Sequence, residues 1–412
     1  MKKMSKWNQY RVGDICSAIY SGGTPSTSNE EYWDGDFYWL SSGETANRYI
    51  SKTDKTITQK GVDNSSTKLA KSGTLVMACA GQGKTRGQAS ILKCDTYINQ
   101  SIIAMVGKHE LLDTTFLFYN MLLRYDELRM RSDASSTRGS ITTDMLKKLP
   151  ISVPDLPTQK RIADILSTYD DLIENNNRRI ALLEKAAQEL YKEWFVRFRF
   201  PGHETVKFEN GLPEGWKLKK IGDIFDVTSS KRVFLSDYVK EGVPFYRSKE
   251  IIQLSQGKTL TEPLYISNEA YTYFNDKFGS PQKNDILITS VGTIGVSYLV
   301  DGHKFYFKDG NLTWIKSGTN PVLAFFIFRW LNSPQGKQQL LQSTIGTSQS
   351  ALTIENLKNI KILVPCEMTI QKYYDLAYVM AEEKKILEWK NKNFAKQRDL
   401  LLPRLMSGKL EV

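Results

Sequence analysis

Apolar positions along this chain follow two different rhythms. Before Pro154, short runs such as Leu75-Val76-Met77 and Ile102-Ile103-Ala104-Met105-Val106 are separated by clusters of Gly, Ser, Asn and Asp. Runs of that length with β-branched residues and turn-forming borders predict strands. After Pro157 the rhythm changes. Ile162, Tyr169, Asn176, Leu183 and Leu190 recur every seven residues, and Leu166, Ile173, Ile180, Ala187 and Trp194 fill the positions four further on. That is a coiled-coil seam. With Thr158 as N-cap and neither Gly nor Pro before Phe198, it predicts one helix of about 40 residues and roughly 60 Å, ended by Pro201-Gly202. A second β-rich stretch follows, including Asp285-Ile286-Leu287-Ile288-Thr289, and then a second seam at Tyr373, Met380, Leu387, Phe394 and Leu401. This seam is weaker, because its complementary positions include Lys384, Asn391 and Arg398, and Pro403 is expected to stop the helix. Two shorter helices are expected at Thr115 to Met130 and at Pro321 to Leu331.

The two halves are versions of one pattern. Val12-Gly13-Asp14-Ile15 returns as Ile221-Gly222-Asp223-Ile224, 209 residues later. Thr142, Leu146, Lys147 and Pro154 return as Thr353, Leu357, Lys358 and Pro365 at an offset of 211, and Gln159-Lys160 as Gln371-Lys372 at 212. Matches at a nearly constant offset across the half-chain indicate a duplication. The stretches between landmarks differ, as in Tyr20-Ser21-Gly22-Gly23-Thr24-Pro25 against Thr228-Ser229-Ser230-Lys231-Arg232. One scaffold with two unlike sets of loops suggests two different binding specificities.

The expected organisation is therefore a β-rich domain over 1–154, a long helix over 155–200, a second β-rich domain over 201–365 that opens with a short linker, and a second long helix with a C-terminal tail over 366–412. A single amphipathic helix of such length would leave its apolar stripe in water. The simplest remedy is that the two helices pack on each other, antiparallel, under a pseudo-two-fold internal repeat. The competing arrangement is a rod that dimerises with another chain. Asn176 would fix register in either.

The charge narrows the choice of partner. Across 412 residues, 56 Lys+Arg face 45 Asp+Glu for a net charge of +11, which favours a negatively charged ligand, nucleic acid first. Cys16, Cys79, Cys94 and Cys366 form no C-x-x-C pair and read as small buried residues in a reducing cytoplasm. The basic start, Met1-Lys2-Lys3-Met4, leads into polar residues rather than the apolar core of a signal peptide. The apolar run Val322 to Leu331 is too short for a membrane span, so no membrane role is expected.

Catalytic chemistry finds little support. Ala78-Cys79-Ala80-Gly81-Gln82-Gly83-Lys84-Thr85 imitates a phosphate-binding loop but has Ala78 where the first glycine belongs, and Arg86-Gly87-Gln88 does not open a helix. It reads better as a glycine-rich turn able to touch DNA phosphates. His109, His203 and His303 are isolated, and the acidic pairs Asp170-Asp171 and Glu382-Glu383 read as solvated charge on helix surfaces. No catalytic, cofactor-binding or metal-binding residue is assigned, and the chain is expected to be non-catalytic by itself. Arg reads guanine edges, Asn and Gln read adenine, and hydroxyls and lysines hold phosphates. On those grounds the DNA-binding candidates are Gln82, Lys84, Arg86, Gln88, Arg131, Ser136, Thr137 and Arg138 in the first half, and Lys231, Arg232, Arg247, Lys249, Ser348 and Gln349 in the second.

The landmarks together resemble the specificity subunits of type I restriction-modification systems. They are Leu149-Pro150-Ile151-Ser152-Val153-Pro154, then Pro157-Thr158-Gln159-Lys160-Arg161-Ile162-Ala163-Asp164-Ile165-Leu166, then Leu212-Pro213-Glu214-Gly215-Trp216 opening the second half. The second copy keeps Gln371-Lys372 but loses the Ile-Ala-x-Ile-Leu that follows. The resemblance implies an α+β protein with two mixed, β-rich globular target-recognition domains separated by two long antiparallel coiled-coil helices. It implies a bipartite, asymmetric DNA target with one domain per half-site. It also implies a cytoplasmic complex with double-stranded DNA, two methyltransferase subunits and restriction-translocase subunits. S-adenosylmethionine, ATP and Mg would then sit on those partners, which act as an adenine DNA methyltransferase and endonuclease, with no cofactor in this chain. The alternative from another class is a coiled-coil protein-interaction adaptor without sequence-specific DNA readout.

Overall fold

The structure is a computed structural model that describes residues 7–81, 83–135, 139–258, 260, 262–346 and 350–412, the side chain of residue 135 excepted. Contacts divide the chain into two compact units. One comprises Met1–Asn176 with Lys390–Val412, and the other Asn177–Trp389. The long helices are Leu156–Tyr191, continued by a π-helical turn over Lys192–Val196, and Glu367–Met406. The division falls within both long helices, so each contributes residues to both units. The outer turns of each helix join the apolar core of the unit at that end, Ile162 and Leu166 with Leu402 in the first, Tyr191 and Trp194 with Tyr373 in the second.

In the first unit, Cys16–Ser21, Ile102–Gly107, Leu75–Ala78, Ala89–Leu92 and Tyr49–Ile50 form a five-stranded sheet in that order. A second sheet orders Lys55–Ile57, Trp33–Leu40, Thr96–Ile98 and Lys68–Ala70. The central strand Leu75–Ala78 is buried at every position, as an unbroken apolar run covered on both faces should be. A strand pair, Asn8–Arg11 with Pro150–Val153, closes the domain antiparallel, and the Val12 N–H donates to the Leu149 carbonyl at 2.9 Å. The expected helix from Thr115 is two helices, Thr114–Leu123 and Tyr125–Ser135, joined at Arg124.

The second unit repeats the plan. Asp226–Thr228, Leu312–Lys316, Ile286–Thr289 and Ser297–Leu299 form one sheet, and Tyr238–Val239, Leu264–Ile266, Val243–Tyr246 and Tyr306–Phe307 another. Lys217–Lys220 pairs with Lys361–Val364 as the closing pair. A parallel pairing recurs at a corresponding place in both units, Trp39 opposite Tyr97 in the first and Phe245 opposite Tyr306 in the second. The helix Pro321–Leu331 forms as expected, with Asn320 as its cap.

The seam is present in both units, and its polar positions have partners. In the first unit, Ile162, Ala163 and Leu166 join Phe116, Leu402 and Leu405 in one apolar core. Tyr169 meets Phe394 edge-on with ring centroids 6.3 Å apart, and the Asn176 amide donates to Asn391 Oδ1 at 2.8 Å. In the second unit, Tyr191, Trp194 and Phe195 pack with Tyr373, Ala377, Phe325 and Phe326, while Lys384 bonds Glu184 at 2.6 Å. Rising numbers on one helix meet falling numbers on the other within each unit, so the pairing is antiparallel. Lys384, Asn391 and Arg398, which made the second seam look weak, each answer a polar residue of the first helix.

Three local expectations are corrected. Asp155, not Thr158, caps the first helix, its carboxylate accepting from the Thr158 N–H at 2.9 Å. Pro403 lies inside the second helix, which runs to Met406; so close to the end, proline forfeits one hydrogen bond but leaves little helix to disrupt. Asp170 is not solvated charge. It is 3% exposed, ion-paired to Arg398, and accepts from the Tyr119 hydroxyl at 2.6 Å, because its helix face turns into the domain and not toward water. Among the described residues, no helix is long and apolar enough to cross a membrane.

Candidate nucleic-acid interface

The glycine-rich loop of the first unit joins the antiparallel strands Leu75–Ala78 and Ala89–Leu92. It closes like a hairpin, with the Gly87 N–H donating to Ala78 and the Ala78 N–H to Gln88, both at 2.9 Å. Gly81, Gly83 and Gly87 all have positive φ, which side-chain-bearing residues rarely adopt. A strand rather than a helix follows the loop, so the dipole that a phosphate cradle needs is absent from this place.

What holds the loop is the helix Tyr125–Ser135. The Tyr125 hydroxyl donates to the Lys84 carbonyl at 2.8 Å, and Arg129 Nη1 donates to the Arg86 carbonyl at 3.1 Å. Arg86 itself is 6% exposed, its guanidinium paired with Asp133. As a base or phosphate reader Arg86 is therefore a correction: its charge is spent fastening loop to helix. Lys84 is exposed, and Gln88 is half-buried. Arg131, also exposed, shares Glu127 with Arg124, and the Arg124 guanidinium holds that carboxyl below its usual range. Loop and helix thus place Lys84, Gln88 and Arg131 on one assembly. Gln82, Ser136, Thr137 and Arg138 lie outside the described residues.

In the second unit the candidates gather around the parallel strands Val243–Tyr246 and Tyr306–Phe307. Ser230 Oγ donates to the Phe307 carbonyl at 2.7 Å, and the Lys231 N–H to the Tyr306 hydroxyl at 3.3 Å. Arg232 pairs with Asp309 at 3.4 Å, and the Lys308 N–H donates to the Tyr246 carbonyl at 2.8 Å. Arg247 follows Tyr246 directly, and Lys249 lies exposed in the next turn. Four candidates scattered over the sequence therefore share one basic locality, to which the fold adds Lys308. Ser348 and Gln349 lie outside the described residues.

Sequence reasoning missed two glutamates at corresponding places, Glu250 buried and Glu44 half-buried. Glu250, 2% exposed, accepts from the Arg247 N–H at 2.9 Å and from its guanidinium at 2.7 and 3.1 Å. Glu44 accepts from the Ser41 N–H and hydroxyl, each at 3.2 Å. The signal was available: Trp39-Leu40-Ser41-Ser42-Gly43-Glu44 and Phe245-Tyr246-Arg247-Ser248-Lys249-Glu250 share their serine and glutamate at an offset of 206. The shift from 209–211 hid it. At the strand ends the loops diverge as well. Gly22 and Gly23 run so close to Ile98 and Ser66 that a Cβ at Gly22 would stand 1.9 Å from the Ile98 carbonyl oxygen, whereas the second unit has Ser229 and Ser230 there.

Residues 4–185 and 213–373 match the family model described as the type I restriction modification DNA specificity domain. The MjaIX type I restriction enzyme specificity subunit of Methanocaldococcus jannaschii is 28% identical over 423 residues, covering 98% of this chain and 94% of that protein. The EcoR124I/EcoR124II specificity subunit of Escherichia coli is 31% identical over 195 residues, 45% of this chain and 47% of that one. Among solved structures, the type I restriction-modification S subunit from M. genitalium superposes with a TM-score of 0.65 at 16% identity, covering 98% of this chain and 97% of the other. That likeness is one of fold.

Proposed function

The chain belongs to the type I restriction modification DNA specificity domain family, and on that footing we propose that its two units each read one half of a bipartite, asymmetric duplex target. DNA sequence recognition is the function of this family of non-catalytic specificity subunits. The observation that carries the finer reading is one frame bearing two unlike reader loops. Glu44 and Glu250 occupy the same place in the plan, yet one aims Ser41 and the other Arg247. Gly22-Gly23 and Ser229-Ser230 differ in the same way. Identical frames with different hydrogen-bonding groups suit two different base sequences.

Catalysis then rests with partners. The reading includes two methyltransferase subunits acting on adenine with S-adenosylmethionine, and restriction-translocase subunits using ATP and Mg, in a cytoplasmic complex. A docking surface for a helical partner is offered by Leu376, Val379 and Ile386, exposed by 49, 65 and 46% on the second long helix. Their spacing of three and seven residues suits a helix laid alongside.

The test is a unit exchange. Residues 1–150 are replaced by those of another family member, the chain is assembled with its methyltransferase subunits, and the methylated sites are mapped across a genome. One half of the target is expected to change while the other stays. A change in both halves, or a single contiguous target, would refute the assignment. Equal affinity for random and cognate duplexes would instead favour a protein-interaction adaptor.

A further inference from the structure

Arg247 is oddly placed for a residue serving stability. It is the N-cap of the helix Ser248–Ser255, where the backbone N–H groups present partial positive charge. A cation there is unfavourable, and helix caps are ordinarily Ser, Thr, Asp or Asn. Ser41 stands at the matching place in the first unit, before the 3-10 turn Ser42–Ala46. Glu250 is costly too, since a carboxylate 2% exposed has surrendered most of its hydration. Burial pushes its carboxyl up, but the bonds from Arg247 outweigh that and hold it below the usual range.

What this pair achieves is orientation. Glu250 takes the side-on edge of the guanidinium, Oε2 from Nε at 3.1 Å and Oε1 from Nη2 at 2.7 Å. The end-on fork, with both hydrogens of Nη1 and the second of Nη2, is left for a ligand. Arg247 keeps 36% of its side chain exposed. A planar fork held in one orientation matches two acceptors side by side, as guanine presents with O6 and N7 in the major groove. Phosphates need no such aiming, and the flexible exposed Lys231, Lys249 and Lys308 can serve them.

We propose that Arg247, clamped by Glu250, is a specificity-determining residue that reads a guanine edge in the half-site of the second unit, an inference that rests on the DNA-reading function above. Glu250 is its positioning residue. Ser41, with one hydroxyl on the same frame, makes the corresponding position in the first half-site accept a different base.

The test uses the chain assembled with its methyltransferase subunits, selecting from a randomised duplex library. The wild-type complex is expected to require guanine at one position of the second half-site. R247Q and R247K each weaken that preference roughly ten- to hundred-fold and leave every other position unchanged, lysine because it keeps the charge but loses the fork. E250Q relaxes the same position while thermal melting confirms that the unit is folded. Three results would overturn the proposal. R247K could keep the wild-type base profile, or R247Q could weaken all sequences equally with a smaller salt dependence, the mark of a phosphate contact. E250Q could lower the melting temperature with no change in profile. A wild-type complex that selects no sequence would sink the parent function instead, so the two failures are distinguishable.

Discussion

Removing the Asp170 carboxylate should loosen the first unit sharply, whereas removing the ion pair together with the Tyr119 hydroxyl should not. Asp170 and Arg398 are 3% and 6% exposed, and Asp170 also accepts from Tyr119 at 2.6 Å, with Arg48 Nε 3.8 Å away. The burial that excludes water also pushes the Tyr119 phenol far up, and the neighbouring Asp170 charge adds to it. In Asp170→Ala, Arg398 keeps the more exposed Asp399, but its buried face loses its counter-charge and the Tyr119 hydroxyl loses its acceptor. Breaking a buried pair from one side costs about 3–5 kcal/mol; Asp399 places this case near 3. For a unit of about 200 residues that corresponds to a melting shift of roughly 6–12 °C. Replacing the whole buried set, Asp170→Leu and Arg398→Met with Tyr119→Phe, should come within about 1 kcal/mol of the wild type, because it leaves no buried hydroxyl without an acceptor, and Arg48 keeps Asp399 3.9 Å away. The assay is amide hydrogen exchange over 156–176 and 390–406, which isolates this part of the helix pair from the second unit. A single substitution costing less than about 1 kcal/mol, or a triple as harmful as the single, would refute the reasoning.

Two further outcomes follow from the geometry. Gly22→Ala places a methyl 1.9 Å from the Ile98 carbonyl oxygen, and since backbone cannot yield cheaply, a loss of about 1–3 kcal/mol is expected by urea unfolding; an unchanged midpoint would contradict the packing. His303 holds the Asp301 carboxyl down at about 2 against an ordinary 3.8. A depressed carboxylate stabilises the folded state above its unfolded pKa, so this contribution is whole above about pH 4 and fades as pH falls toward 2. Asp301→Asn should therefore flatten the acid limb of the second unit's stability curve, and parallel limbs for both proteins would count against it.

Features that depend on near neighbours and periodicity were legible along the chain. Seven-residue spacing announced both long helices, short apolar runs announced strands such as Leu75–Ala78 and Ile286–Thr289, and a steady offset announced the duplication. These are local signals, since burying a face fixes every third, fourth or second residue along one segment. Which charges are spent and which remain available depends on contacts between distant parts of the chain. Arg86 looked as good a reader as Lys84 until Asp133 was seen to hold it, and Asp170 looked like solvated charge until Arg398, 228 residues away, was seen against it. Lys384 and Asn391 looked like flaws in a seam until Glu184 and Asn176 stood opposite them. The value of a polar side chain is set by its partner and its access to water, and the fold brings both from parts of the chain that local pattern does not connect.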